Sequence, residues 1–192
     1  IIKLTPTHMQ IIQQQIKAKN FTNLQHLIVG GEQLYRTTCI DFLEKFGAHI
    51  KIHNEYGPTE TTVGCGDYVF SYDDASTAVS IGHPTNNVQM YIVDKNTNLL
   101  PIGVTGELCI AGDGVCAGYL NRPELTAEKF IENPFGEGKL YKTGDLAYWR
   151  EDGNICYVGR NDFQVKINGQ RIELGEIEKV INEIPDIDSV AV

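Results

Sequence analysis

An alternation of strand-like and helical patterns dominates the first third of the chain. The apolar run 27–29 ends at Gly30-Gly31, and a second run, 50–53, leads into a polar loop. Between them, residues 34–46 carry apolar side chains at helical spacing and stop at Gly47, a typical helix end. Strand, helix and strand in this order, with a loop after each strand, predict a parallel α/β unit with a ligand crevice along that edge.

Three parts are predicted along the chain. Residues 1–65 form the α/β part, which opens with a helix over 8–19 capped by Thr7. Residues 66–161 show short alternating runs broken by Gly, Pro and Asn, which predict an antiparallel β-barrel-like part. Residues 162–192 indicate the start of a small α+β part. The predicted strands are 88–93, 106–111, 146–149, 155–158, 164–167 and 171–173, and the predicted helices are 124–131 and 174–183.

The composition limits the partners of the chain. The net charge is -9, and no Lys/Arg-rich run occurs, which argues against nucleic acid or an anionic membrane surface as a partner. No stretch approaches about eighteen consecutive apolar residues, and no basic region precedes an apolar one at the start, so we expect a cytoplasmic protein. Because the chain opens on Ile1 rather than Met and stops at Val192 inside a strand-like run, we expect it to be part of a larger protein.

The cysteines and histidines show no pattern of a disulfide or metal framework. The five cysteines, at 39, 65, 109, 116 and 156, have no C-x-x-C spacing, and an odd number cannot close fully into disulfides. They are predicted to be reduced, with Cys109 and Cys156 as small buried hydrophobes in strands. The five histidines lack metal-ligand spacing, so no zinc site is expected.

Residues 54–62, Asn-Glu-Tyr-Gly-Pro-Thr-Glu-Thr-Thr, combine an aromatic ring, a forced turn, hydroxyls and a carboxylate. Gly57-Pro58 turns the chain, so that Tyr56 would offer a ring face to a base while the following threonines reach phosphate oxygens. The Glu60 carboxylate would then hold Mg²⁺. A polar turn without a ligand is the alternative for Tyr-Gly-Pro alone, and the added Thr-Glu-Thr-Thr favours a nucleotide site.

Other segments are weaker candidates for ligand contacts. Gly30-Gly31 ends a strand, where glycine lets a ligand approach the backbone. Residues 140–145 place Asp145 after a glycine turn, where its carboxylate would either bind ribose hydroxyls or stabilise a hairpin. Residues 112–118 are glycine-rich but miss the dinucleotide fingerprint, so we interpret them as a turn. Residues 159–162 form a polar joint that is either a hinge or a linker.

Four motifs in register carry a family resemblance. In chain order they are Tyr-Gly-Pro-Thr-Glu-Thr-Thr, Gly-Glu-Leu-Cys-Ile-Ala-Gly, Tyr-Lys-Thr-Gly-Asp and Gly-Arg-Asn-Asp-Phe-Gln-Val-Lys-Ile-Asn-Gly-Gln-Arg-Ile-Glu-Leu-Gly-Glu-Ile-Glu. Together they resemble the adenylation domains of nonribosomal peptide synthetases (NRPS) over essentially the whole chain. Single motifs are shared with acyl-CoA synthetases and luciferases, whereas the four together are specific. The resemblance implies the fold of an adenylate-forming enzyme, present here as a fragment.

The resemblance also implies a two-step reaction. An amino acid carboxylate attacks the α-phosphate of Mg-ATP, which gives aminoacyl-AMP and pyrophosphate, and the phosphopantetheine thiol of a peptidyl carrier protein then takes the aminoacyl group. Neighbouring synthetase domains are further expected partners. The resemblance assigns the nucleotide contacts to matching positions: Tyr56 would stack on adenine, Asp145 would bind the ribose with Arg160 nearby, and Asn54, Gly30 and Gly31 would line the nucleotide. Thr59 would contact the α-phosphate and Glu60 would bind Mg²⁺. Asp162 would be the hinge.

Three elements of the family pattern do not occur in residues 1–192. The Ser/Thr/Gly-rich phosphate loop and the aspartate that binds the amino group of the substrate are expected upstream, and a late lysine is expected downstream. Removing groups that stabilise a transition state typically costs on the order of a hundredfold or more in rate. We therefore expect this piece alone to be inactive or nearly so.

The side-chain pocket of the family maps here to Lys3, Ile28, Gly30, Glu55, Val63 and Gly64. A lysine and a glutamate are costly to bury unless they pair with each other or with a ligand. Lys3 would donate to the oxygen of a carboxamide and Glu55 would accept from its nitrogen. Asparagine is therefore the predicted amino acid, in agreement with the asparagine-selecting pattern of the family. Aspartate would face Glu55 as a like charge, and glutamine would need a pocket deep enough for one more methylene. The alternative interpretation is that Lys3 and Glu55 form only an ion pair and that the substrate is small.

Two other classes of protein stay open at this point. An acyl- or aryl-CoA ligase of the same superfamily would need an apolar pocket, which Lys3 and Glu55 argue against. A non-catalytic remnant of a synthetase is favoured only by the missing elements. An active parent is favoured by four retained residues, because a decayed site need not keep them: Thr59, Glu60, Asp145 and Arg160.

Overall fold

The computed structural model describes residues 1–17, 21–162, 164–167, 170–184, 187 and 189–192. Its helices are α1 (Pro6–Gln15), α2 (Arg36–Phe46), α3 (Pro123–Lys129) and α4 (Leu174–Asn182). Its strands are β1 (Ile2–Leu4), β2 (His26–Gly30), β3 (Lys51–Tyr56), β4 (Gly66–Val69), β5 (His83–Pro84), β6 (Val88–Val93), β7 (Gly106–Gly112), β8 (Phe130–Glu132), β9 (Lys139–Trp149), β10 (Ile155–Arg160), β11 (Val165–Ile167) and β12 (Gln170–Ile172). The predicted helical residues 18 and 19, and residues 163, 168 and 169 of the last motif, lie outside the described residues. Within the described ranges, no helix has the length and apolar character needed to cross a membrane.

The first sheet joins five strands in the order β1-β2-β3-β4-β5. β1, β2 and β3 are parallel, which confirms the predicted α/β unit, and β4 and β5 continue the sheet antiparallel. Residues 66–84 therefore extend this sheet past the predicted boundary after residue 65. α1 and α2 pack on one face, over a core that includes Met9, Leu27, Val29 and Phe42.

The two helices of this unit begin and end for local reasons. α1 begins at Pro6 rather than at residue 8, because Thr5 and not Thr7 is its N-cap. The Thr5 hydroxyl oxygen accepts from the His8 backbone N–H at 3.3 Å, and Pro6 occupies the first helical position, where an N–H has no intrahelical partner. α2 ends as predicted at Gly47, whose φ of 123° favours glycine.

The second sheet is antiparallel, in the order β10-β9-β7-β6, with β8 paired to β9. Its core includes Met90, Ile92 and Leu108. Two backbone hydrogen bonds of 2.9 Å attach the segment before β5 to β10, from the Ile81 N–H to the Ile155 carbonyl and from the Ile155 N–H to the Gly82 carbonyl. The two sheets therefore meet where the chain passes from one to the other.

The cysteines of the structure are free thiols, and the predicted burial of two of them is confirmed. All five are free, and Cys109 and Cys156 are buried in β7 and β10. Burial raises the pKa of the Cys109 thiol to about 12, so it is a neutral packing group at physiological pH. In the last part of the chain, β11 and β12 pair antiparallel before α4, in agreement with the predicted order of elements.

Candidate active site

A cleft of about 340 Å³ opens where the carboxyl ends of β2 and β3 meet β9 and β10. The first sheet and the segment after β4 supply one wall, and the second sheet supplies the other. The lining residues are Gly31, Glu32, Gln33, Leu34, Asn54, Glu55, Tyr56, Gly57, Ala78, Val79, Ile81, Asp145, Tyr157, Arg160 and Gln164. The cleft thus lies at the edge of the parallel strands where the sequence pattern predicts a ligand crevice.

Asp145 reaches the cleft through an irregularity in β9. Residues 140–145 lie inside this strand, so the predicted glycine turn is wrong. The register between β7 and β9 shifts here, and Gly144 adopts φ 74°, a left-handed conformation. The Thr143 hydroxyl donates to the Leu108 carbonyl at 2.6 Å and accepts from the Asp145 N–H at 2.9 Å. Because a bulge re-aims a strand side chain, this distortion brings the Asp145 carboxylate to the cleft.

The Asp145 carboxylate is the meeting point of the two sheets. Asp145 as a whole residue is only 6% exposed. The Tyr56 hydroxyl, from the end of β3, donates to its Oδ2 at 2.5 Å, and the Arg160 guanidinium, from the end of β10, donates to its Oδ1 at 2.7 Å. An ionised carboxylate accepts on both oxygens and has about four lone-pair sites. The predicted Tyr56, Asp145 and Arg160 therefore form one contact network in the cleft.

Two phenols lie beside this carboxylate. Burial, followed by the charge and hydrogen bond of Asp145, raises the pKa of Tyr56 well above its ordinary value. Burial also raises the pKa of Tyr157 to about 12. The two rings lie with centroids 6.4 Å apart at an angle of 39°. Both phenols stay protonated at neutral pH, so Tyr56 is a hydrogen-bond donor to Asp145 and both present neutral aromatic surface.

β3 continues to Tyr56, beyond its predicted end at His53. Side chains alternate across a strand, so Asn54 and Tyr56 lie on one face and Glu55 on the other. The Asn54 amide donates to the carbonyls of Val79 at 3.2 Å and Ser80 at 2.8 Å. This buried amide therefore holds the segment that forms the apolar wall of the cleft.

The end of β2 is shaped by its two glycines. A Cβ on Gly30 would lie 2.6 Å from the Glu55 carbonyl oxygen, and Gly31 has φ 87°. Gly31 lines the cleft, whereas Gly30 lies outside its lining and is required by strand packing. The following Glu32 accepts hydrogen bonds from the backbone and hydroxyl of Thr7, at 3.0 and 2.7 Å, which fixes this loop to α1.

Thr59 and Glu60 lie in a 3₁₀ turn, Thr59–Thr61, outside the lining of the cleft. Thr59 is exposed, whereas Glu60 is 6% exposed and accepts a hydrogen bond from the Tyr119 hydroxyl at 2.7 Å. Mg²⁺ usually binds through one or two carboxylates together with water and substrate phosphates. Among the described residues, no group of three or more His, Cys, Asp or Glu side chains is arranged to hold a metal ion. The binding of Mg²⁺ by Glu60 therefore stays a prediction, in which the nucleotide phosphates and water supply the other ligands.

Four of the six predicted pocket residues, Lys3, Ile28, Gly30 and Glu55, occupy strand positions on the sheet face opposite α1 and α2. Lys3 pairs in register with Ile28, and Gly30 with Glu55. The Lys3 ammonium contacts the Glu55 carboxylate at 2.5 Å. A Cβ on Gly64 would lie 2.7 Å from Glu55 Oε1. Val63, the sixth predicted residue, is 51% exposed in the adjoining turn. This ion pair agrees with the alternative in which Lys3 and Glu55 bind only each other. It also places an ammonium donor beside a carboxylate acceptor, as the predicted asparagine pocket requires.

Several lining residues are absent from the sequence prediction. Tyr157 and Gln164 bring an aromatic ring and an amide, and Gln33, Leu34, Ala78, Val79 and Ile81 bring mainly backbone and apolar surface. An aromatic residue three positions before the predicted Arg160 is the only sequence signal for Tyr157. Apolar walls carry no chemical signature, because the same residue types fill the core.

Arg160 joins the cleft to the polar joint at residues 159–162. Its Nε and Nη2 atoms donate to the two oxygens of Asp162, each at 2.6 Å, while Nη1 binds Asp145. Asp162 Oδ1 also accepts from the Gln164 N–H at 3.1 Å. A bidentate pair of this kind fixes geometry as well as charge, so Asp162 anchors the start of the last part of the chain.

We expect this joint to loosen in acid. The hydrogen bond from Arg160 lowers the pKa of Asp162 below 3.8. Because the folded pKa is the lower one, the stabilisation is fully present above the unfolded pKa and is lost as the pH falls through the folded pKa. Hydrogen exchange of the amides at 160–162, 164 and 165, corrected for the intrinsic pH dependence, should therefore show constant protection down to about pH 5 and lower protection below about pH 4.

Asp162→Asn is the matched variant for this test. It keeps the shape of the side chain but removes the titration, so its protection should be low at neutral pH and flat through the acid range. The same acid loss in this variant would contradict the assignment to Asp162.

Comparisons with known proteins identify the family and the fold of the chain. A family model described as AMP-binding enzyme matches residues 1–120. The chain is 50% identical to bacitracin synthase 3 of Bacillus licheniformis over 100% of its length, and 53% identical to tyrocidine synthase 3 of Brevibacillus parabrevis over 93% of its length. It spans 3% of the length of each of these relatives. A solved structure of PA1221, an NRPS protein containing adenylation and PCP domains, superposes with TM-score 0.88 at 27% identity, covering 97% of this chain and 38% of that one.

The family match extends over the whole α/β part, with the end of β3 and the Thr59–Thr61 turn, and into the second sheet as far as residue 120. The solved relative shares the fold over nearly all of the chain. The chain belongs to the AMP-binding enzyme family.

Proposed function

We propose that residues 1–192 are part of an NRPS adenylation domain, an ATP-dependent ligase that activates an amino acid as aminoacyl-AMP. The observation that carries this proposal is the network of Tyr56, Asp145 and Arg160 in the cleft. It combines an aromatic ring, a buried carboxylate and a cation at the carboxyl edge of parallel strands, where nucleotides bind in α/β folds. The names of the relatives and the AMP-binding family match support the same assignment.

In the first step, a carboxylate oxygen of the amino acid would attack the α-phosphorus of ATP. The bond from phosphorus to the pyrophosphate oxygen breaks, and pyrophosphate leaves with the electron pair. Tyr56 would cover the adenine, Asp145 would accept from the ribose hydroxyls, and Thr59 would contact the α-phosphate. Asn54 and Gly31 would complete the nucleotide contacts. Mg²⁺, held by Glu60, would neutralise phosphate charge.

In the second step, the phosphopantetheine thiol of a peptidyl carrier protein would attack the acyl carbon, lose its proton and displace AMP. The PCP domain in the solved relative supports a carrier partner. We propose three parts, at 1–65, 66–161 and 162–192, of which the second also contributes β4 and β5 to the first sheet, and the third rotates about a hinge at Asp162. A few residues suffice to absorb the dihedral change of such a rotation.

The test is amino-acid-dependent exchange of pyrophosphate into ATP by the complete adenylation domain that carries these residues. Exchange with one or a few amino acids is expected. Exchange with none, together with ligation of fatty or aromatic acids to coenzyme A, would favour the acyl- or aryl-CoA ligase. No activity with any acid would favour a non-catalytic remnant.

We further propose that the amino acid is L-asparagine, because Lys3 and Glu55 place an ammonium donor beside a carboxylate acceptor. Asparagine should exceed aspartate in exchange, because aspartate meets Glu55 as a like charge. Glu55→Gln should reduce this preference by roughly tenfold or more, since like charges at a recognition site are strongly unfavourable. Glu124→Gln, an exposed position on α3, is the control and should leave the preference unchanged. Best activity with a small apolar amino acid would support the plain ion pair instead.

A further inference from the structure

Segment 112–119 consists of the glycine-rich residues 112–118, interpreted from sequence as a turn, and of Tyr119. It packs against the Thr59–Thr61 turn and the following Thr62. The Thr62 hydroxyl donates to the Gly114 carbonyl at 2.7 Å, and the Cys116 N–H donates to the Glu60 carbonyl at 2.9 Å. Gly114 lies so close that a Cβ there would be 2.9 Å from the Thr61 carbonyl oxygen. The turn that carries the predicted phosphate and metal residues is thus held by a loop of the second sheet.

Tyr119 ends this segment and contacts the functional side chain itself. Its hydroxyl donates to Glu60 Oε1 at 2.7 Å, and Glu60 is 6% exposed. At its other end, the Tyr119 N–H donates to the Thr126 hydroxyl of α3 at 2.9 Å. The ring packs edge-on against Phe130, with centroids 5.3 Å apart at 73°. Backbone, ring and hydroxyl are therefore all fixed, and the hydroxyl is aimed at one carboxylate oxygen.

Such a contact has a defined physical consequence. A donor bound to one oxygen restricts rotation of the carboxylate, so the orientation of the whole group is set before a ligand arrives. Outer hydrogen-bond partners orient the ligands of metal ions in this way, and their loss typically costs roughly 10- to 100-fold in metal affinity or activity.

We propose that Tyr119 is the positioning residue of Glu60, and that segment 112–119 holds the metal-binding turn in place. This inference rests on the proposed role of Glu60 with Mg²⁺-nucleotide. The glycine-rich segment then has a function different from phosphate binding: it joins the second sheet to the turn at the end of the first.

The test is ATP binding by the complete domain, measured by calorimetry over a range of Mg²⁺ concentrations and in EDTA, without amino acid. Tyr119→Phe keeps the ring on Phe130 and removes only the hydroxyl. The apparent Mg²⁺ affinity of the ATP complex should fall about tenfold, while ATP binding in EDTA should not change. Tyr91→Phe, a half-buried tyrosine of β6, is the matched control and should behave as wild type.

A double-mutant cycle separates positioning from a general structural role. Glu60→Gln should lower Mg²⁺ affinity at least as much as Tyr119→Phe, and the combined variant should be no worse than Glu60→Gln alone, because residues that act through one contact are not additive. Additive losses, or an equal loss in EDTA, would overturn the proposal.

The outcome is distinguishable from failure of the proposed function. Normal Mg²⁺-dependent ATP binding with the expected cycle, but no exchange with any amino acid, would refute aminoacyl-AMP formation and support the role of Tyr119. Absence of ATP binding by the wild-type domain would overturn both.

Discussion

Asp145→Ala is expected to lower kcat/KM for ATP by about 10²-fold or more, in amino-acid-dependent pyrophosphate exchange by the complete domain. The change removes the proposed ribose acceptor and also breaks a contact between a carboxylate that is 8% exposed and a guanidinium that is 14% exposed. A hydrogen bond to a charged group contributes about 1.5–3 kcal/mol, each 1.4 kcal/mol corresponds to about tenfold, and Asp145 is proposed to accept from two ribose hydroxyls. The loss should appear mainly in KM for ATP, with KM for the amino acid changed little.

Two further variants are compared with Asp145→Ala, one with a smaller expected loss and one as a control. Tyr56→Phe keeps the ring and removes one donor to Asp145, so a smaller loss of about tenfold is expected from a hydrogen bond to a charged group. Asp41→Ala, an exposed carboxylate of α2, should not differ from wild type. A folded Asp145→Ala enzyme with unchanged kinetics for ATP would remove Asp145 from the nucleotide site.

Gly57→Ala is expected to have the largest effect on stability. A Cβ at this position would overlap the Val63 carbonyl oxygen and lie 2.5 Å from the Val63 carbonyl carbon and 3.0 Å from the Cys65 nitrogen. All three atoms are backbone, so no side-chain rotation relieves the overlap. Overpacking typically costs about 1–3 kcal/mol and occasionally more, and we expect about 3 kcal/mol or more here. Denaturant unfolding of the complete domain measures the change.

Gly175→Ala is the control for this substitution. Gly175 lies in the first turn of α4, and a Cβ there would have no heavy atom within 4 Å. Alanine favours a helix over glycine by up to about 1 kcal/mol, so this variant should be neutral or slightly more stable. Equal unfolding midpoints for the two variants would show that the turn at Gly57 can move aside.

The sequence predicts those features that depend on local pattern. The α2 helix, its end at Gly47 and the strand before Gly30 follow from hydrophobic spacing and glycine placement, and the structure confirms them. The β9 bulge does not follow, because Thr143-Gly144 has the local composition of a turn. Only the pairing of this strand with β7 decides between turn and bulge. Thr5 prevails over Thr7 as a helix cap because Pro6 is suited to the first helical position.

The residues of the candidate site also fall into those that the sequence predicts and those that it does not. Tyr56, Asp145 and Arg160 are found through motif resemblance, and long-range packing brings them together. Tyr157 and the apolar wall at Val79 are not found, because their residue types also occur throughout cores. The contact of Tyr119 with Glu60 is not found either, since a hydroxyl after a glycine-rich segment indicates nothing about a carboxylate far away in the sequence.

The alternation along β3 has an evolutionary consequence. The side chains of Asn54 and Tyr56 lie on the face of the proposed nucleotide contacts, whereas the Glu55 carboxylate, between them, pairs with Lys3 on the opposite face of the sheet. Under the proposed function, substitution at residue 55 would therefore change which amino acid is accepted while the nucleotide contacts persist, so related domains would diversify their specificity with ATP kept as the energy source. An insertion or deletion of one residue in this strand would exchange the two faces, and lineages that change substrate are expected to do so by substitution here and not by a change of length.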